Sequence, residues 1–199
     1  MNKLISDCKI VGKTHFPKFM GERHYMVKFF KEKGLPEHLS RFQNTIDGML
    51  ENIDTVVDGV SQPIFITVDE KVIKSGGSHR RGGVHIDGYW DETLKAHRGS
   101  GGHKMFAGWG TSNWKTNDFS LPESIVLASS VSASKGWVGE YDNDVGEKGD
   151  CTHLDLTLLD SFLLQPNNVY RGNVTFLHES LPVSYDTERT LIRLNIKNC

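Results

Sequence analysis

A histidine and an aspartate stand two positions apart in the segment Val84-His85-Ile86-Asp87-Gly88. Residues at i and i+2 of an extended strand point to the same face of a sheet. The imidazole of His85 and the carboxylate of Asp87 can therefore reach one ion together. The pair alone is a weak signal, because the same two residues in a loop could simply hydrogen-bond to each other.

A second histidine, His178, ends the run Asn173–His178 and is followed by Leu181-Pro182-Val183, which predicts a turn. Two histidines and one carboxylate on one face of an iron leave three coordination positions free, as non-heme Fe(II) oxygen chemistry requires. Arg189 follows His178 by eleven residues, and a hairpin of that length can return its guanidinium to the metal. There it can hold a carboxylate in a bidentate pair.

The alternation of side chains along a strand does not by itself decide which of two arginines binds the carboxylate. Arg193 shares the strand parity of Arg189, so both side chains are expected on one face. The spacing from His178 favours Arg189 as the carboxylate ligand. Taken by itself, His178 could also be a partly buried histidine with satisfied hydrogen bonds, the usual state of a lone histidine at a strand end.

In chain order these elements resemble the Fe(II)- and 2-oxoglutarate-dependent dioxygenases over roughly Pro63–Ile196. The distal spacing and the Pro-Val pair look most like the prolyl-hydroxylase branch of that family. Four features carry the resemblance: the HxD pair at His85 and Asp87, the distal His178 placed 93 positions after His85, the pair Pro182-Val183, and a strand that begins at Arg189.

The resemblance implies a fold, a cofactor and a reaction. The fold is mainly β, a double-stranded β-helix (jelly roll) core with an N-terminal amphipathic helix packed on one sheet. Fe(II) would be bound by His85, Asp87 and His178, while 2-oxoglutarate chelates the metal and places its far carboxylate on Arg189, or on Arg193. O₂ and a substrate would then react so that a C–H bond is hydroxylated. The near-neutral charge favours a protein side chain or a small metabolite as substrate, and a nucleobase stays open.

One amphipathic helix is predicted over Pro36–Ile53, where Pro36 suits a first helical position. The segment Tyr25–Lys31 fits a helix and a strand equally well. Apolar residues recur at helical spacing in the predicted helix: Leu39, Phe42, Ile46, Met49 and Ile53.

After Gly59 the pattern changes to short strands. Because no helices alternate with them, an antiparallel sandwich or barrel is expected. Gly136–Asp150 carries five acids and one lysine and is predicted to be a solvated loop. The chain is read as a single domain over 1–199, with a helical support region at 1–60 and a jelly-roll core at 61–199. The predicted strands are Pro63–Ile73, Ser124–Ser130, Thr152–Leu158, Phe162–Leu164, Asn173–His178 and Arg189–Ile196.

Ten of the 20 glycines and four of the nine histidines fall within Gly76–Gly110, which is therefore predicted to be mostly loop and to act as a mobile lid. The segment also fits two other interpretations. A zinc site of His79, His97 and His103 matches no familiar ligand spacing. The stretches Arg80-Arg81-Gly82-Gly83 and Arg98–Gly102 resemble RGG nucleic-acid segments.

Composition limits the function classes. The 199 residues carry a net charge of −2, with 37% hydrophobic and 24% charged residues, which excludes a disordered chain and a membrane protein. The three cysteines form no CxxC pair, and the start shows no secretory signal, so a cytoplasmic protein with reduced thiols is expected. Two rival classes remain: a cupin-like jelly roll that binds metal or ligand without turnover, and a nucleic-acid-binding module that uses the arginine-glycine loops.

Overall fold

The computed structural model describes residues 3–90, 97–98, 104–105, 119–120 and 122–197. These residues form one α-helix, α1 (Gln43–Leu50), three 3₁₀ segments (Lys31–Lys33, Glu37–Phe42, Glu147–Gly149) and many strands. The strands are β1 (Lys3–Ser6), β2 (Cys8–Lys13), β3 (Arg23–Phe29), β4 (Val56–Val57), β5 (Val60–Ser61), β6 (Ile64–Ile73), β7 (His97–Arg98), β8 (Lys104–Met105), β9 (Glu123–Ser129), β10 (Ser134–Asp142), β11 (Asp160–Leu163), β12 (Asn168–Asn173), β13 (Leu177–Ser180) and β14 (Thr187–Lys197).

Two antiparallel sheets make up most of the described chain. The larger sheet has six strands in the order β2-β12-β9-β14-β6-β3. In the smaller sheet, β10 is the central strand and pairs with β1, β11 and β13. The mainly β architecture with antiparallel sheets agrees with the predicted class of sandwich or jelly roll.

The larger sheet buries both of its faces against different partners. On β9, Val126 and Ala128 pack with the residues of α1, while Ile125 and Leu127 belong to a second core cluster on the opposite face. This alternation follows from the period of two in a strand. The second face is the one that borders the smaller sheet, because its cluster includes Phe176, which lies just before β13.

The prediction of one continuous α-helix over Pro36–Ile53 is wrong. A 3₁₀ segment occupies Glu37–Phe42, and α1 occupies only Gln43–Leu50. Neither segment begins with a side-chain cap. Over only six residues, the spacing of apolar side chains does not distinguish a 3₁₀ helix, with three residues per turn, from an α-helix, with 3.6. The apolar residues themselves are buried against the larger sheet: Leu39, Phe42, Ile46, Met49, Leu50 and Ile53.

Two further predictions along the second half of the chain are wrong. Thr152–Leu158 forms turns instead of a strand, because Asp155 accepts hydrogen bonds from both the amide and the hydroxyl of Thr157. Leu158 is accordingly 94% exposed. The predicted solvated loop Gly136–Asp150 instead contains most of β10, whose buried Trp137 and Tyr141 outweigh the acidic residues around them.

The predicted strand Asn173–His178 is divided between the two sheets. β12 ends at Asn173 in the larger sheet, and β13 begins at Leu177 in the smaller one. The amide of Phe176 donates to the carbonyl of Asn173, which closes the turn between them. The apolar run therefore carries the chain from one sheet to the other, and His178 lies on the far side of that crossing.

The first 60 residues supply more than a helical support. Tyr25–Lys31, which the sequence left undecided, falls mostly in β3 of the larger sheet, and β1 and β2 join the smaller and the larger sheet. Within the predicted lid over Gly76–Gly110, residues 91–96, 99–103 and 106–110 lie outside the described part of the chain, and its mobility stays a prediction. Among the residues that are described, no helix is long and apolar enough to cross a membrane. Cys8 and Cys151 are free thiols, and Cys199 lies outside the described range.

Candidate metal centre

His85 and His178 are joined through their main chains. Each amide donates to the other residue's carbonyl, at 3.0 Å from His85 N and 3.1 Å from His178 N. His85 also forms an isolated bridge with Asp150. A pair of residues that exchange both hydrogen bonds lies directly opposite in an antiparallel ladder, so the two side chains leave the same face. Their ring centroids are 4.6 Å apart.

Both imidazoles are held in the tautomer that leaves Nε2 able to bind a metal. Nδ1 of His85 lies 2.8 Å from the carbonyl of Gly83, and Nδ1 of His178 lies 2.9 Å from the carbonyl of Phe176. A carbonyl oxygen can only accept, so Nδ1 carries the proton in each ring. Nε2 of each neutral ring then has its lone pair available for a metal, and the backbone contact fixes the ring orientation.

Burial keeps these two rings neutral. Burial, together with a smaller contribution from the adjacent His178, lowers the pKa of His85 to about 3. The pKa of His178 is lowered as well, chiefly by burial, although Asp87 acts in the opposite direction. Unprotonated imidazoles are the form that binds a metal. The two rings are therefore ready ligands at neutral pH.

Asp87 is the third member of the group. Its Oδ2 lies 3.7 Å from Nε2 of His178 and accepts a hydrogen bond of 2.8 Å from Nη1 of Arg193. Burial alone would raise the pKa of this carboxyl, but the positive charge of Arg193 outweighs it and holds the pKa well below its usual range. Asp87 is therefore a carboxylate at any pH near neutrality.

The three side chains fit one small metal ion. One ligand atom from each of His85, Asp87 and His178 lies within 4.8 Å of the others. Metal bonds of about 2.1 Å place two ligands of one ion at most about 4.2 Å apart, so a modest side-chain rotation brings all three within range. The donor set of two imidazoles and one carboxylate suits iron and related divalent metals.

Two aromatic side chains form a stack against the ring of His178. The ring of Phe176 stacks on that of His178 with centroids 5.4 Å apart and 17° between the planes, and Phe162 stacks on Phe176 at 6.3 Å. The stack needs Gly136 on β10, which is paired with His178. A Cβ at Gly136 would lie 2.5 Å from Cζ of Phe176, closer than any real contact. Glycine at this position therefore allows the ring of Phe176 to stack against the ring of His178.

A cavity adjoins the candidate ligands, and among the described residues three arginines border it. Arg189 and Arg193 both face it from β14, as the parity argument predicted, while Ile192 and Leu194 pack on the opposite face with α1. Arg193 contacts Asp87 directly. The described residues around the cavity are Thr67, Arg80, His85, Leu127, Ala128, Ser129, Ser134, Leu164, Gln165, Tyr170, His178, Ser180, Arg189, Leu191 and Arg193.

Arg189 is fully buried and is held by neutral oxygens. Its Nε donates to Oγ of Ser129 at 2.9 Å, Nη1 to the carbonyl of Ala133 at 3.1 Å, and Nη2 to Oγ of Ser134 at 2.8 Å. Burial lowers the pKa of Arg189 to about 10, which still leaves it charged at neutral pH. These three hydrogen bonds use three of the five N–H groups of Arg189. The other two, one on each terminal nitrogen, can donate to a ligand.

Sequence reasoning missed Ser180 and Arg80, which border the same cavity. Ser180 lies two residues after His178 on β13, so strand parity could have placed it on the ligand side. Arg80 was noted only within an arginine-glycine stretch. No spacing argument pointed to it, because it lies in the loop after β6 and its position depends on how that loop folds back.

The other sequence candidates lie apart from this group or outside the described residues. His79 is buried, with Nε2 placed 3.3 Å from Oδ2 of Asp69, while the side chain of His97 and all of His103 fall outside the described part. The second arginine-glycine stretch also lies mostly outside it. In the first stretch, Arg81 is exposed and donates to the carbonyl of Lys148.

No protein-family profile matches the chain, and no curated protein matches it. Solved structures do. EvdO2 from Micromonospora carbonacea var. aurantiaca, complexed with 2-oxoglutarate, is 14% identical, covers 86% of this chain and 67% of its own, and has a TM-score of 0.45. HygX from Streptomyces hygroscopicus with iron bound is 11% identical over 76% of this chain and 64% of its own, at a TM-score of 0.38. ThoJ, a non-heme monooxygenase in its apo form, is 9% identical over 83% of this chain and 59% of its own, at a TM-score of 0.39. The closer likeness to the prolyl-hydroxylase branch stays a prediction.

Proposed function

We propose that this chain is an Fe(II)- and 2-oxoglutarate-dependent oxygenase that hydroxylates a C–H bond, built on a double-stranded β-helix. The observation that carries the proposal is the group His85, Asp87 and His178, whose ligand atoms lie within 4.8 Å of one another beside a cavity that Arg189 also borders. These three residues would hold Fe(II), which supplies O₂ activation when it is bound. Three protein ligands leave room for a cosubstrate and O₂.

Arg189 is the residue that suits the far carboxylate of 2-oxoglutarate. A buried guanidinium is costly unless an anion compensates it. Of the residues that the structure describes, none forms an ion pair with Arg189, whose partners are hydroxyl and carbonyl oxygens. The two remaining N–H groups, one on each terminal nitrogen, can donate to the two oxygens of one carboxylate. Arg193 is less suited, because its Nη1 is already engaged by Asp87 at 2.8 Å.

The remaining residues position and shield the site. Arg193 holds the carboxylate of Asp87 in its ionised form, and the carbonyls of Gly83 and Phe176 hold the two imidazoles. Leu127 and Leu191 add apolar surface to the cavity, which limits the access of water to the reacting groups. The substrate is proposed to be a protein side chain or a small metabolite.

An anaerobic titration with Fe(II) followed by 2-oxoglutarate tests this proposal. We expect a weak visible charge-transfer band that appears only when both are present and that saturates at one equivalent. Metal binding without the band would indicate the cupin-like rival, which binds a metal and lacks the cosubstrate site. If neither Fe(II) nor 2-oxoglutarate binds, the oxygenase proposal is wrong.

A further inference from the structure

Arg80 is the most solvent-accessible of the three arginines that border the cavity. Its side chain is 33% exposed, whereas that of Arg193 is 7% exposed and Arg189 is fully buried. Arg80 lies in the loop after β6, outside both sheets. A ligand that enters the cavity from solvent therefore has Arg80 within reach at the accessible side, with the candidate metal ligands deeper inside.

The charges of the other two arginines are accounted for. Arg193 pairs with Asp87 at 2.8 Å, and in the proposed function Arg189 pairs with the far carboxylate of 2-oxoglutarate. With a divalent metal and the doubly charged cosubstrate bound, the positive charges of the metal and the three arginines exceed the negative charges of Asp87 and the cosubstrate by two. Among the described residues that border the cavity there is no carboxylate. The loaded cavity therefore keeps a positive charge, and Arg80 is the arginine to which this account assigns no direct anionic contact inside the cavity.

The carboxylate that does approach Arg80 is already shared. Oδ2 of Asp69 lies 3.8 Å from Nη1 of Arg80, which is beyond hydrogen-bond distance. Asp69 meanwhile accepts a hydrogen bond of 2.8 Å from Nε of Arg23 and lies 3.3 Å from Nε2 of His79. Asp69 holds Arg80 only loosely, so the guanidinium can take a second partner at little cost.

Electrostatics agree with this geometry. Burial lowers the pKa of Arg80, and the positive charge of Arg193 lowers it further, although Asp87 and Asp69 act in the opposite direction. A cation in that position gains from an additional anion more than an exposed arginine does, because the site is partly shielded from water. Arginine also presents a planar fork that matches a carboxylate or a phosphate.

We propose that Arg80 forms an anion subsite at the accessible side of the cavity, and that the substrate of this protein carries a carboxylate or phosphate group bound there. This inference rests on the proposed function and adds the chemical class of the substrate to it. Anchoring the acidic group at Arg80 orients the rest of the molecule toward His85, Asp87 and His178. A neutral molecule of the same shape lacks that anchor and is expected to bind poorly.

The alternative is that Arg80 only helps to hold Asp69 in place. Arg23 provides a matched control, because it contacts the same carboxylate at 2.8 Å and does not border the cavity. The experiment uses the protein loaded with Mn(II) and 2-oxoglutarate, so that Arg189 is occupied. Calorimetry then measures the binding of benzoate, phenyl phosphate and the neutral benzamide to the wild type and to the variants Arg80→Gln and Arg23→Gln.

We expect benzoate or phenyl phosphate to bind the loaded wild type at one site, with benzamide at least about tenfold weaker. The tighter of the two anions identifies the acidic group. Arg80→Gln should lose about tenfold or more in anion affinity, Arg23→Gln should match the wild type, and Mn(II) and 2-oxoglutarate should bind all three equally.

Other results overturn the inference in distinguishable ways. If the protein loads normally but binds no anion, binds benzamide as well as benzoate, or loses anion affinity equally in both variants, the anion subsite is wrong and the oxygenase proposal stands. If the wild type takes up neither Mn(II) nor 2-oxoglutarate, the proposed function fails and the substrate class fails with it. Should Arg80→Gln not fold, Arg80→Ala and Arg80→Lys replace it, and anion affinity is expected to fall most in the alanine variant and less in the lysine variant, which keeps the charge and loses the planar fork.

Discussion

The main chains of His85 and His178 hydrogen-bond to each other in both directions, although 92 residues separate them in the sequence. His85 belongs to a short bridged segment, and His178 belongs to β13 of the smaller sheet. Because the two ligands share one antiparallel bridge, a change that shifts either segment moves both imidazoles. The candidate metal centre therefore depends on the integrity of this bridge as much as on the side chains themselves.

Replacing a candidate ligand should abolish most metal binding. In His85→Ala and Asp87→Ala two ligands remain, and two ligands form a poor site. Since removing an outer partner of a metal ligand costs about 10- to 100-fold in affinity, we expect a loss of at least about 100-fold for a ligand itself. Calorimetric titration with Mn(II) measures it.

His153→Ala is the matched control for those variants. His153 is a half-exposed histidine that contacts Asp144 and lies outside the metal group, so its loss should leave Mn(II) affinity unchanged. Wild-type affinity in both ligand variants would show that the metal, if bound at all, is bound elsewhere.

Gly136→Ala should displace the aromatic ring under His178. The new methyl group would meet Phe176 at 2.5 Å, and overpacking of this kind costs about 1–3 kcal/mol of unfolding free energy. Metal affinity should fall too, since the ring of Phe176 stacks on the ligand. Denaturant unfolding and Mn(II) titration measure the two effects.

A second glycine variant separates packing from the general effect of adding a methyl group. At Gly82 a Cβ would meet nothing within 4 Å, so Gly82→Ala is expected to be neutral in both measurements. Equal behaviour of the two alanine variants would show that the tight contact at Phe176 has no bearing on the site.

Glu123 should make stability depend on pH. Burial raises its pKa from 4.5 to about 7. Between those values the folded state holds more protons than the unfolded state, so the free energy of unfolding should fall as pH rises from about 4.5 to 7. In Glu123→Gln, the side-chain Oε1 keeps both of its donors, the Trp90 amide and Nδ2 of Asn195. We expect that variant to exceed the wild type by about 1 kcal/mol at pH 5 and by about 3 kcal/mol at pH 8.

Denaturant unfolding of the metal-free protein at the two pH values checks this expectation. The exposed Glu140 serves as the control, and Glu140→Gln should show no such difference between pH 5 and pH 8. A Glu123→Gln variant that is less stable than the wild type at pH 8 would mean that the charged form is compensated in the fold.

Arg189→Lys should weaken 2-oxoglutarate binding moderately, and Arg189→Ala should weaken it more. Lysine keeps the charge and loses the planar fork, while a buried charged hydrogen bond contributes about 1.5–3 kcal/mol, or roughly ten- to a hundredfold in affinity. Mn(II) affinity should barely change, because Arg189 is not a candidate ligand. Isothermal titration of the Mn(II)-loaded variants with 2-oxoglutarate measures the two cosubstrate affinities, and titration of the metal-free variants with Mn(II) measures the metal affinity.

Comparison with Arg193→Ala shows which arginine binds 2-oxoglutarate. If Arg189→Ala retains 2-oxoglutarate binding and Arg193→Ala loses it, the cosubstrate arginine is Arg193. Should neither substitution matter while both variants remain folded, the oxygenase proposal itself is wrong. Thermal unfolding of each variant shows whether a loss of binding reflects a loss of fold.

Local pattern brought out the three candidate metal ligands and two of the arginines, but it did not find Ser180 or Arg80. The period of two in a strand placed Arg189 and Arg193 on one face, and the observed cavity has both on its border. The runs that became β6, β9 and β14 were also recognised, because apolar and β-branched residues form short runs in β6 and β9 and recur along β14. Local pattern failed where charge and burial disagree, as in β10, whose acidic residues hid a strand with a buried Trp137.

Only the tertiary structure decided which of these residues meet. The sequence ordered His85 and His178 along the chain, but their shared bridge depends on the crossing at Asn173–Leu177 that takes the chain from one sheet to the other. The pairing of Arg193 with Asp87, the neutral partners of Arg189 and the position of Arg80 likewise follow from packing between sheets and loops. Residue type and local spacing encode what a side chain can do. Contacts between distant segments arise from long-range packing, and no local period in the sequence records them.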